Sequence, residues 1–120
     1  GLPAFRQLIE HRVVDILQPD ILWVGGLTTT VKICAMAEAA GIAVSLHVGA
    51  NNPFGLHCAY ALPAITDAEF WLGSAPGVPL AEANQFPGHT MPENGLAIPS
   101  DRPGFGLKFA ASAITPYFDD

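Results

Sequence analysis

The sequence predicts an α/β fold built around a parallel sheet, on three observations. Val13 to Leu17 is a short run rich in β-branched residues, and Ile42 to Leu46 alternates too little for a half-exposed strand and reads as a buried one. Between them, Val31 to Ala40 is apolar nearly all round, with Lys32 and Glu38 as its only charges, which is the pattern of a helix covered on more than one side. Asp20 follows the first run and His47 the second. A strand, helix, strand unit of about 30 residues sets its two strand ends side by side. An acid beside an imidazole is therefore the first candidate for chemistry.

Composition narrows the function classes. Half of the 120 residues are apolar and only 13% are charged, below the quarter usual for a soluble chain. Much of the surface is thus expected to be covered, as in a piece of a larger body. The net charge is −6, and the five basic residues, Arg6, Arg12, Lys32, Arg102 and Lys108, are scattered. They form no stripe that could track phosphates, so nucleic acid is not an expected partner. Cys34 and Cys58 are far apart and flanked by apolar residues, which fits reduced core thiols and a cytoplasmic setting. No basic-then-apolar leader and no apolar run of about 18 residues is present, so neither export nor a membrane partner is expected.

Each element has its own signals. Pro3 suits a first helical turn, and Phe5, Leu8 and Ile9 share one face of a short cover helix with His11 near its end. The first strand stops near Pro19, which cannot donate to a ladder. Asp20 then either caps the turn or carries chemistry at a strand's carboxyl end, where ligands bind in parallel α/β folds. Gly25 and Gly26 lead into a helix whose start offers Thr28, Thr29 and Thr30, one of which is expected to accept a bond from an early backbone N–H. The double glycine lacks the spacing and the lysine of a phosphate loop. Gly41 suits the helix end, Ile42 to Leu46 reads as a buried parallel strand, and His47 ends it. A neighbouring carboxylate would fix the tautomer of His47 and raise its basicity.

Asn51 and Asn52 occupy the next loop, as ligand contacts or as turn and cap residues, and Pro53 to Leu62 is helical by spacing, with His57 either packed or turned toward the site. Ala68 to Leu72 reads as a third buried strand carrying Glu69. Beyond Gly73 lie seven of the eleven prolines and five glycines, a tail that wraps and builds no core. Leu96 to Ile98 reads as a short strand within it, and Pro103 to Leu107 as a turn into another.

These residues resemble a known family. Asp15-Ile16-Leu17-Gln18-Pro19-Asp20, Gly25-Gly26-Leu27-Thr28, Gly41-Ile42 running to His47, Ala68-Glu69-Phe70, Pro99-Ser100-Asp101 and Pro103-Gly104-Phe105-Gly106 are similar to the C-terminal part of enolase-superfamily enzymes. The branch is the mandelate racemase and acid-sugar dehydratase group, rhamnonate dehydratases in particular. The resemblance implies that residues 1–74 are the C-terminal portion of a (β/α)7β, TIM-like barrel with about three parallel strands. Residues 75–120 would return to a lid domain.

By the same resemblance, Asp20, His47 and Glu69 end the sixth, seventh and eighth strands. His47 is then the general acid or base, Asp20 supports its imidazole, and Glu69 hydrogen-bonds the substrate carboxylate. Asn51, Asn52 and His57 are the secondary candidates for substrate contact. The implied activity is Mg²⁺-dependent dehydration of an acid sugar, with no metal ligand in these residues and the metal held by a missing N-terminal part. A homo-oligomer is expected for the complete protein. The alternatives are a racemase or epimerase of the same superfamily, which shares the proton removal, and a non-catalytic α/β binding module. Made alone, the 120 residues are expected to be inactive and prone to aggregation, because three strands leave two open sheet edges.

Overall fold

The computed structural model describes residues 1–73, 75–79, 82, 86–113 and 115. The chain order is α1 (Leu2–Glu10), β1 (Ile16–Leu17), α2 (Gly26–Ala40), β2 (Ala43–Leu46), α3 (Pro53–Ala61) and β3 (Ile65–Ala68). All three strands are parallel, in the order β1-β2-β3. Ile16 pairs with Ala43 and Leu17 with Val44; across β2 and β3, Val44 pairs with Ile65 and Leu46 with Ala68, with a register shift between Val44 and Ser45. The expected α/β class and parallel sheet are both present.

One core lies between the sheet and its helices. Leu17, Val44, Leu46 and Ile65 from the strands meet Ile33, Cys34 and Ala37 of α2 and Cys58 of α3. The buried residues of α2 are Thr30, Ile33, Cys34 and Ala37, an i, i+3, i+4, i+7 stripe. Leu27 and Val31 stay exposed and Met36 and Ala40 are half-buried, so within this chain α2 is covered mainly on one face. In β2 the pleat sends Val44 and Leu46 into this core, while Ala43 and Ser45 on the other face are half-buried. The thiols of Cys34 and Cys58 are both free and buried. Burial, and then the neighbouring Cys58, pushes Cys34 up to about 11, and burial also raises Cys58. Both are therefore core residues and not reactive ones.

The helix ends follow local chemistry. α1 lays Leu2, Phe5, Leu8 and Ile9 against the core, and Arg12 reaches from just beyond it to donate to the Ala40 carbonyl at 2.7 Å, satisfying the end of α2. Gly41, at φ +64, closes that end as expected. At its start the threonines act as donors and not as acceptors. Thr29 Oγ1 donates to Gly25 O at 3.2 Å and Thr30 Oγ1 to Gly26 O at 3.0 Å. The N-cap position itself is held by Gly25 at φ +115, a conformation costly to any side chain.

β3 begins three residues earlier than the sequence suggests. Pro63 follows the end of α3, and Ala64 and Ile65 supply the buried anchor of the strand. Thr66, Asp67 and Ala68 are exposed because β3 is an edge of the sheet. Glu69 therefore lies just past the strand, and Trp71 and Leu72, expected inside it, are exposed.

The Pro-rich tail packs back on α3. Phe54 meets Phe86 and Phe105 edge to face, with ring centroids 5.9 and 5.0 Å apart, and Tyr60 Oη donates to Ala97 O at 2.9 Å. Leu96 to Ile98 is not a strand; Glu93 and Leu96 form one isolated antiparallel bridge, with Leu96 and Ile98 exposed. Pro103 leads into a single 3₁₀ turn, Gly104–Gly106. The expected boundary between residues 74 and 75 and the last residues of the tail, 116–120, lie at or outside the limits of the described residues. No helix among the described residues is long and apolar enough to cross a membrane.

Candidate active site

The carboxyl ends of the three strands carry the expected residues. The His47 backbone N–H donates to Pro19 O at 3.1 Å, tying the segment after β1 to that after β2. The Ala50 N–H donates to Glu69 O at 2.9 Å, tying the segment after β2 to that after β3. Asp20, His47 and Glu69 thus stand on successive, mutually braced strand ends.

Side-chain pairing differs from the sequence expectation. His47 Nδ1 lies 3.1 Å from Glu69 Oε2, and the same carboxylate oxygen accepts the Val48 N–H at 2.6 Å. Asp20 Oδ1 accepts the Leu22 N–H at 2.8 Å, and the Asp20 carbonyl accepts from Trp23 and Val24. That is the turn-capping alternative for Asp20. A carboxylate at Nδ1 selects the tautomer that carries its proton there, leaving the Nε2 lone pair for proton transfer. The His47 side chain is 52% exposed and that of Glu69 33%, so the pair sits at a solvent-accessible opening.

Val48 is the residue sequence reasoning missed here. Its φ is +45, a left-handed conformation unfavourable for a β-branched side chain. The strained turn aims its N–H at Glu69. Hydropathy carries no signal for such a dihedral; only the succession His47-Val48-Gly49 hints at a tight turn.

The other candidates divide. Asn52 is buried and structural, its Oδ1 accepting the Gly55 N–H at 2.7 Å as the N-cap of α3 and its Nδ2 donating to Val48 O at 3.1 Å. The start of α3 also packs closely on the preceding turn and needs glycine at 55, since a Cβ there would strike the Gly49 backbone. Asn52→Ala removes both bonds and is expected to cost about 1–2 kcal/mol of stability, read as a lower urea midpoint. His57 faces the tail, with Nδ1 2.6 Å from Pro53 O, Nε2 3.0 Å from Ser100 O and its ring edge-on to Phe105. Asn51 lines the cleft and holds the Trp71 main chain.

The cleft over these residues has a volume of about 750 Å³ and is lined by Leu22, His47, Val48, Asn51, Trp71 and Phe86, among others. Among the described residues, no three of His, Cys, Asp and Glu converge on a point that could hold a metal ion. Mg²⁺ takes a near-octahedral oxygen shell. The carboxylates of Asp20 and Glu69 are already drawn to backbone N–H groups on different strand ends. Among the described residues, these carboxylates do not come together as a Mg²⁺ site.

The family model for enolase C-terminal domain-like proteins matches residues 1–113. The chain belongs to this family. Its three parallel strands and their helices correspond to the TIM-barrel-like C-terminal part of enolase-superfamily members. A Caldivirga maquilingensis protein named "Putative L-rhamnonate dehydratase" is 34% identical over 109 residues, 88% of this chain and 26% of that protein. The crystal structure of L-rhamnonate dehydratase from Gibberella zeae superposes with a TM-score of 0.77 at 33% identity, covering 94% of this chain and 29% of that one. The crystal structure of L-talarate dehydratase from Polaromonas sp. JS666, complexed with Mg and L-glucarate, gives a TM-score of 0.67 at 27% identity, over 94% and 29%. The chain thus spans between a quarter and a third of the length of these enolase-superfamily relatives.

Proposed function

We propose that these residues supply the acid–base half of the site of an acid-sugar dehydratase. The observation that carries the reading is the His47 Nδ1 to Glu69 Oε2 contact at 3.1 Å on adjacent strand ends, opening into the cleft. The named dehydratases that are 33–34% identical support the reaction class.

In this reading His47 Nε2 takes the proton from the carbon α to the substrate carboxylate, and the C–H electron pair enters the enediolate. The β-hydroxyl then leaves as water, accepting the proton that His47 has gained, and the resulting enol becomes a 2-keto-3-deoxy acid. Glu69 holds the imidazole in the required tautomer and stabilises it while it is charged. Asp20, on the strand end beside that of His47, holds the turn at Leu22, a residue that lines the cleft. Mg²⁺ belongs to the complete protein and would be bound by residues outside this chain, as a Lewis acid for the enediolate. Residues from about 75 onward form part of the lid, and the complete protein is a homo-oligomer.

The test incubates the complete polypeptide with L-rhamnonate, L-talarate and L-glucarate, with Mg²⁺ and with chelator. A keto acid formed from at least one of them, and only with Mg²⁺, is the expected result. Recovery of the α-epimer in its place would establish a racemase, and no conversion of any of the three would remove the dehydratase reading.

A further inference from the structure

Trp71 lies two residues beyond Glu69 and lines the same cleft as His47, yet its side chain is 62% exposed. An indole so exposed adds little to the core, but the backbone that carries it is tightly held. Asn51 brackets its main chain from both sides: Oδ1 accepts the Trp71 N–H at 2.7 Å and Nδ2 donates to Trp71 O at 2.9 Å. The ring folds back over Gly73, where any Cβ would collide with it. A two-point amide clamp thus fixes the backbone that carries a large apolar plane, a glycine leaves room for it, and the described residues do not bury it beside the cleft.

We propose that Trp71 is a substrate-facing wall that takes the C–H face of an extended polyhydroxylated carbon chain, with Asn51 as its positioning residue; this rests on the dehydratase reading. Sites for small molecules combine a few directed polar groups with apolar and aromatic walls. In the dehydratase reading His47 acts at the carboxylate end, and the indole, on the same cleft, is left for the rest of the carbon chain. Trp71 therefore sets preference for chain length and does not take part in proton transfer.

The experiment uses the complete polypeptide, with L-rhamnonate as the long probe and L-lactate as a short competitive one. Trp71→Ala is expected to raise KM for L-rhamnonate about 5- to 10-fold, the range of an aromatic contact, with kcat changed less than about twofold and inhibition by L-lactate unaltered. Trp71→Phe should recover most of the loss. Asn51→Ala should raise KM in the same direction, and combining it with Trp71→Ala should add nothing, whereas an independent structural role would give additive effects. An unchanged KM, or equal losses for long and short probes, overturns the inference. Intrinsic fluorescence separates it from the dehydratase reading. A saturable change on adding L-rhamnonate that disappears in Trp71→Phe supports the wall even if no product forms. Turnover with neither a fluorescence change nor a KM effect overturns the wall alone, and absence of both turnover and fluorescence change overturns both.

Discussion

Replacing His47 with asparagine in the complete polypeptide is expected to lower kcat for acid-sugar dehydration by about 10²- to 10⁴-fold, the usual contribution of a positioned acid or base. The side chain is half exposed, and asparagine can still donate an N–H toward Glu69 from nearly the same place. The fold and the affinity for substrate should therefore survive, so the loss should fall on kcat with KM changed little and an unaltered circular dichroism spectrum. Retention of parental turnover would show that another group moves the proton.

The second large effect is expected at Glu69. Glu69→Gln should reduce turnover by about 10- to 100-fold, the range for a residue that orients an acting side chain. The reason lies in the double use of Oε2, which accepts from Val48 N and faces His47 Nδ1. Glutamine keeps one acceptor oxygen but carries no charge to stabilise the imidazolium, and it can turn an N–H toward Nδ1 and favour the wrong tautomer. Asp20→Asn should cost less, because the Asp20 carboxylate serves its own turn through Leu22 N. A larger loss at Asp20 than at Glu69 would hand the orienting role to Asp20, the assignment drawn from the family resemblance. Kinetic constants for the three variants on one substrate decide the order.

The parallel order of the chain is legible because its signals are local: Pro19 ends one strand, Gly41 ends the helix, and the runs that follow are apolar enough to be core. The position of β3 is not, because Glu69-Phe70-Trp71-Leu72 carries more hydrophobicity than Ile65-Thr66-Asp67-Ala68. Within this chain β3 is the outermost of three strands, and Ile65 is its one buried residue. The polar residues that follow face outward and mask the strand from any count of apolar periodicity. Glu69 reads as part of the third run and is set at a strand end only by the family resemblance, whereas the strand ends of Asp20 and His47 could be read from spacing. Which carboxylate meets the imidazole could not, because it depends on the Asp20 turn and on the left-handed backbone of Val48, neither of which leaves a mark in hydropathy. Asn52 shows the opposite case: a turn or cap role is one of its two readings from sequence, and the structure has it as the cap of α3.

The claim that His47 moves the α-proton is tested most directly by following that proton itself. Parent and His47→Asn proteins are incubated with L-rhamnonate and Mg²⁺ in D₂O, and proton magnetic resonance follows the α-hydrogen of the remaining substrate together with product. The account predicts loss of the α-hydrogen by the parent, through elimination or exchange, and no detectable loss by His47→Asn over the same period. Loss of the α-hydrogen at the parental rate in His47→Asn would contradict it.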